Sequence, residues 1–113
     1  RKSIGSERTL IKDTTDHGFL SEYLEKFSLE IASMLQKRAL ASRTISLKLR
    51  DSNFNTTSKS VTLRDYFNKK EEILQLALQL FEEMMDEKPI RLIGLSVSHL
   101  EKTDKIYKQL KLF

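Results

Sequence analysis

The stretch Arg43 to Leu63, RTISLKLRDSNFNTTSKSVTL, decides how this chain folds. Ile45, Leu47 and Leu49 alternate with Thr44, Ser46, Lys48 and Arg50, the period of two that marks a strand with one buried face and one wet face. Asp51-Ser52-Asn53 is turn chemistry, because short polar side chains bond their own backbone and Asn tolerates a left-handed conformation. The run from Thr57 to Leu63 is rich in hydroxyls and β-formers and carries no acid. A hairpin is therefore expected, with strands at 43–50 and 57–63. Its wet face, made of Thr, Ser, Lys and Arg, has two readings. One is an ordinary solvated sheet face; the other is a surface whose hydroxyls, backbone N–H groups and cations meet phosphate oxygens.

Upstream, residues 1–12 read as a first strand with Gly5 in its interior, where a backbone or ligand can approach closely. Asp13-Thr14-Thr15-Asp16 supplies cap candidates for a helix whose apolar stripe is Leu20, Leu24, Phe27, Ile31, Met34 and Leu35. Downstream of the hairpin, Asn68-Lys69-Lys70-Glu71 has capping-box spacing, with Asn68 as acceptor and Glu71 reaching back. The second helix carries Ile73, Leu76, Ala77, Leu80, Phe81 and Met84, and Lys88-Pro89 stops it. Residues 90–100, IRLIGLSVSHL, form a last strand with Ile93, Leu95 and Val97 on one face and Leu92, Gly94, Ser96 and Ser98 on the other. From Glu101 onward the charge density rises and no packed element is evident, so 1–100 reads as the domain and 101–113 as a flexible tail. The order β-α-β-β-α-β implies an α+β fold: a four-stranded antiparallel-type sheet with both helices on one face and the other face open.

Composition narrows the functions. The 113 residues suit one domain with a modest core, and 20 Lys plus Arg against 16 Asp plus Glu give a net charge of +4, a mild basic bias. No run approaches the roughly 18 apolar residues of a membrane span, so no membrane partner is expected. Cysteine is absent, which fits a reducing compartment, and a cytoplasmic location is expected. The start, Arg1-Lys2-Ser3, lacks an initiator Met and an apolar run, and reads as part of a longer chain without a signal peptide.

Catalysis has little to work with. His17 and His99 are isolated, and no Ser or Cys nucleophile has a recognisable local signature, so no catalytic residue is expected. Glu82, Glu83, Asp86 and Glu87 crowd the end of the second helix without the spacing of a ligand loop; they read as a solvated face, and no metal is expected. Gly5, Gly18 and Gly94 are too scattered for a phosphate loop, and Phe54, in the turn, is the hairpin's one aromatic, too little for base stacking. What remains is backbone binding. Ser3, Gly5, Ser58, Ser60, Gly94, Ser96 and Ser98 would let a sugar-phosphate strand approach main-chain N–H groups, with Lys48, Arg50, Lys59 and Arg91 supplying charge. Strict alternation puts Lys59 and Arg91 on the other face, so those two need a bulge or a strand end to take part. The close of the chain, Gln109-Leu110-Lys111-Leu112-Phe113, reads either as a docking peptide or as a fraying end.

RKSIGSERT at the start, RTISLKLRDSNF and TTSKSVTL in the hairpin, and IRLIGLSVSHL near the end resemble the little finger, or polymerase-associated domain, of Y-family translesion DNA polymerases of the bacterial polymerase IV type. The resemblance covers essentially the whole chain, in order. It implies that the open sheet face lies along primer–template duplex DNA and grips both backbones. Position by position, Ser3 and Gly5 match the first phosphate-contacting strand, Ser58, Lys59 and Ser60 match a Thr-Arg-Ser type segment, and Arg91 matches the Arg of an Ile-Arg-Leu-Leu-Gly type strand. Lys59 stands where the family often has Arg, which keeps the charge and loses the planar fork. Thr44, Ser46, Lys48 and Arg50 join the set from strand alternation alone.

The tail resembles a sliding-clamp peptide of Gln-Leu-x-Leu-Phe type. Gln109 would hydrogen-bond in the clamp's pocket and Leu110, Leu112 and Phe113 would fill it. The resemblance further implies a parent that is a template-directed nucleotidyltransferase using magnesium, whose catalytic carboxylates precede this chain; no cofactor is expected here. Two functions are thus expected, a DNA-gripping accessory domain and, as the alternative, a module acting mainly through clamp docking, with the remaining polymerase domains as further partners.

Overall fold

The structure, a computed structural model, describes residues 3–111. The elements are β1 (Ser3–Thr14), α1 (His17–Lys37), β2 (Leu40–Asp51), β3 (Thr56–Phe67), α2 (Lys70–Met84), β4 (Ile90–Ser98), β5 (Glu101–Lys102) and α3 (Thr103–Lys111). The four long strands form a sheet in the order β1-β4-β2-β3 with every pair antiparallel. Helix α1 lies against β1, β4 and β2, and α2 against β2 and β3, so both cover one face as expected. The strands are longer than their apolar patterns suggested. Backbone pairing carries β3 to Phe67, past the point where alternation is readable, because a ladder needs only N–H and C=O groups.

Helix α1 starts where Asp16 Oδ1 accepts from Phe19 N at 3.1 Å. It buries Leu20, Leu24, Phe27, Ile31 and Leu35, together with Ser28 and Ala32. The buried Ser28 hydroxyl is satisfied by donating to Leu24 O at 2.7 Å. Met34, expected in the stripe, is instead 40% exposed at its edge. Across the interface, Ile73, Ala77, Leu80 and Phe81 of α2 and the alternate residues Ile45, Leu47, Leu49, Ile93, Leu95 and Val97 of the sheet complete the core. Burying each Leu or Ile side chain contributes about 1.5–3 kcal/mol.

Three expectations need correction. The cap of α2 falls one residue later: Lys69 takes the N-cap position, and Glu72, not Glu71, accepts from Lys69 N at 3.2 Å and Asn68 N at 3.4 Å. Asn68 is drawn away because its Nδ2 donates to Leu40 O at 3.3 Å. The left-handed residue of the β2–β3 turn is Phe54 (φ 65°), not Asn53, because Asp51 Oδ1 already accepts from Asn53 N and Asn55 N and sets the turn around it. Nor is residue 101 the start of an unstructured tail. β5 pairs Leu40 with Lys102 and Ala41 with Glu101, and Thr103 N donates to Ala39 O at 2.9 Å, which anchors α3 to the start of β2. Ile106 of that helix faces a cleft shared with Ala41, Tyr66 and Phe67. No helix among the described residues is long and apolar enough to cross a membrane.

Candidate nucleic-acid interface

The face that α1 and α2 leave bare is organised by the antiparallel register into four rows across β1, β4, β2 and β3. They are Ser3–Ser98–Thr44–Thr62, Gly5–Ser96–Ser46–Ser60, Glu7–Gly94–Lys48–Ser58 and Thr9–Leu92–Arg50–Thr56. Strand alternation in the sequence finds most of these residues; it is the register that sets them side by side. A shallow groove of about 330 Å³ runs through the middle rows, lined by Gly5, Glu7, Ser46, Lys48, Ser58 and Ser96 among others. Hydroxyls bridge the strands: Ser46 and Ser60 share a hydrogen bond of 2.5 Å, Thr44 and Thr62 one of 2.8 Å, and Arg50 Nε donates to Thr56 Oγ1 at 2.8 Å. A hydroxyl carries one donor and two lone pairs, so these groups can turn outward to a phosphate without a strand moving.

Gly5 is demanded by close approach. A Cβ on it would lie 2.7 Å from the Ser96 Cβ and 2.9 Å from the Leu95 carbonyl oxygen. Gly5→Val should therefore push β1 off β4 and destabilise the fold by about 1–3 kcal/mol, at the low end if the edge strand shifts outward freely. A urea melt checks this: the midpoint falls with an unchanged slope, whereas an unaltered midpoint would mean that the strands have room to part.

Of the expected cations, Lys48 and Arg50 stand in the rows. Lys59 does not. The β2–β3 register is unbroken from Arg50–Thr56 to Thr44–Thr62, so Lys59 pairs with Leu47 on the helix side and its ammonium bonds Glu83 of α2. Strict alternation predicted that orientation, and no bulge reverses it. Arg91 does sit at an irregularity, since the pairing of β4 with both β1 and β2 shifts between Leu92 and Ile90. Its guanidinium is engaged at the end of the sheet, 3.1 Å and 3.3 Å from the Asp13 carboxylate and 4.3 Å from the centroid of the Phe54 ring.

Sequence reasoning passed over Glu7, Thr56, Thr62 and His99. Glu7 shares the odd-numbered face of β1 with Ser3 and Gly5, so alternation alone could have found it. His99 had no such signal: it lies just past β4 in a left-handed conformation (φ 54°), with Nδ1 2.5 Å from the Thr44 hydroxyl. Of the tail, Gln109 lies exposed in α3, while the Leu110 side chain, Leu112 and Phe113 fall outside the described residues. Among the described residues no three acids, histidines or cysteines converge in a way that could hold a metal.

The sequence matches the impB/mucB/samB family C-terminal domain over residues 1–112. It is 39% identical over 101 residues to DNA polymerase IV of Exiguobacterium sibiricum, covering 89% of this chain and 28% of the relative. With DNA polymerase IV of Staphylococcus aureus strain Newman it shares 33% over 114 residues, covering 100% of this chain and 32% of the relative. The chain thus spans about a third or less of these curated relatives. In fold it is similar to the little finger domain of PolIV solved in complex with the beta-clamp processivity factor, with a TM-score of 0.70 at 22% identity over 85% of this chain and 86% of that one. A post-insertion binary complex of Dbh DNA polymerase gives a TM-score of 0.77 at 17% identity over 88% of this chain and 29% of that one. With residues 1–112 matched to its model, the chain belongs to the impB/mucB/samB family C-terminal domains, and it shares its fold with the little finger domain of PolIV.

Proposed function

We propose that this chain is the C-terminal DNA-binding domain of a translesion DNA polymerase and that its open sheet face grips the primer–template backbone without reading sequence. One observation carries the reading: four rows made mostly of hydroxyls, with Gly5, Gly94, Lys48, Arg50, one acid (Glu7) and one apolar residue (Leu92), lie around a shallow groove on the face that α1 and α2 leave bare. Donors of this kind suit phosphate oxygens, and the rows offer no base-stacking aromatic. The parent would be a cytoplasmic DNA-directed DNA polymerase acting in damage bypass. Its magnesium would be held by carboxylates elsewhere in that chain, and this domain would be catalytically silent.

A second reading rests on a separate observation. The fold is that of a little finger solved with a beta-clamp, and Gln109, Leu110, Leu112 and Phe113 have the pattern of a clamp-docking peptide. The two functions are compatible in one parent. Fluorescence anisotropy of labelled primer–template duplex over a salt series tests the first. Affinity should fall log-linearly with salt, by a slope of about −0.9 for each phosphate neutralised, and be the same for unrelated sequences. No binding at low salt would leave clamp docking as the function of this domain.

A further inference from the structure

The groove proposed to hold phosphates contains an acid. Glu7 stands in the row Glu7–Gly94–Lys48–Ser58, and its Oε1 lies 2.7 Å from Lys48 Nζ. The two residues belong to β1 and β2, which are separated by β4, so the ion pair spans the whole width of a strand. It can do so because residue 94 has no side chain: a Cβ there would lie 3.0 Å from Glu7 Cβ and 3.6 Å from Lys48 Cε. Gly94 is buried although it faces the side that no helix covers.

We infer that Glu7 sets the strength of duplex binding, strapping Lys48 across β4 in the free domain so that an entering phosphate must take the ammonium from it. This rests on the backbone-gripping reading. Carboxylate and phosphate compete for the same three donors, and the flexible lysine stem lets the ammonium change partners while β1 and β2 stay in place. Once displaced, the half-exposed carboxylate remains in the groove and repels the phosphate. Of the charges in the four rows, Glu7 offsets one of the two cations, and only Arg50 is left to act without a competing acid. The strap keeps the grip weak and readily exchanged, as a platform needs when duplex must advance along it.

The test is anisotropy titration of labelled primer–template duplex with wild type, Glu7→Gln, Lys48→Gln and the double variant over one salt series. Glu7→Gln is expected to bind about three- to ten-fold more tightly, with a steeper salt dependence and an unchanged melting temperature. In the Lys48→Gln background the same change should gain less, because only the repulsion is left to remove. Wild-type binding that follows the log-linear salt law with no gain on Glu7→Gln overturns the inference alone, as does an equal gain in both backgrounds. If neither wild type nor Glu7→Gln binds at the lowest salt, the backbone-gripping reading falls and the inference falls with it.

Discussion

Charge reversal at Lys48 is expected to weaken duplex binding by more than about ten-fold, whereas the same reversal at Lys59 changes it by less than about two-fold. The difference comes from one residue of register. Lys48 pairs with Gly94 and Ser58 in the middle of the bare face, and Lys48→Glu would set a second carboxylate beside Glu7 in the groove. A phosphate would then meet two negative charges where it now meets a neutral pair. Lys59 pairs with Leu47 and its charge is held by Glu83 on the opposite side of the sheet, so reversing it puts two acids together away from the groove. The salt dependence separates the two further: its slope should become shallower by about one for Lys48→Glu and stay unchanged for Lys59→Glu. Equal losses in both variants would mean that the duplex does not lie on the face carrying the four rows.

Removing residues 109–113 is expected to lower affinity for a bacterial sliding clamp by at least about 100-fold while leaving the domain folded. Short docking peptides concentrate their binding energy in a few apolar anchors, and this deletion takes away Leu110, Leu112 and Phe113 together with the polar Gln109. The fold should survive because the anchor of α3 lies at its other end, where Thr103 donates to Ala39 O and β5 pairs with β2. Calorimetric titration against purified clamp, paired with a thermal melt, reads both effects. Retained affinity would locate the docking surface on the folded domain, and a large fall in melting temperature would show that the end of α3 carries stability.

The site was legible in the sequence to an uneven degree, for physical reasons. Ser3, Gly5, Thr44, Ser46, Lys48, Arg50, Ser58 and Ser60 all stand in the four rows, because the side chains of a regular strand can only alternate. Lys59 stands outside the rows for the same reason: alternation sets it on the other face, where it pairs with Leu47 and bonds Glu83. Arg91 meets the condition set for it, an irregular register, yet its fork is engaged by Asp13, seventy-eight positions away in the chain. The ordered start of residues 101–111 escaped because β5 is two residues long and its partners are backbone groups of β2, which leave no hydrophobic period to read.

The amino-acid sequence by itself determined the order of the main elements, the apolar stripes of α1 and α2, and which strand residues share a face. Each of these follows from local periodicity, which neighbours in the chain alone define. Only the tertiary structure decided that β4 lies between β1 and β2, and with it that Glu7 reaches Lys48 over Gly94, that Gly5 presses on Ser96, and that His99 bonds Thr44. Those contacts join residues dozens of positions apart, and their partners are set by strand register and by the room a missing Cβ leaves, neither of which has a local signature.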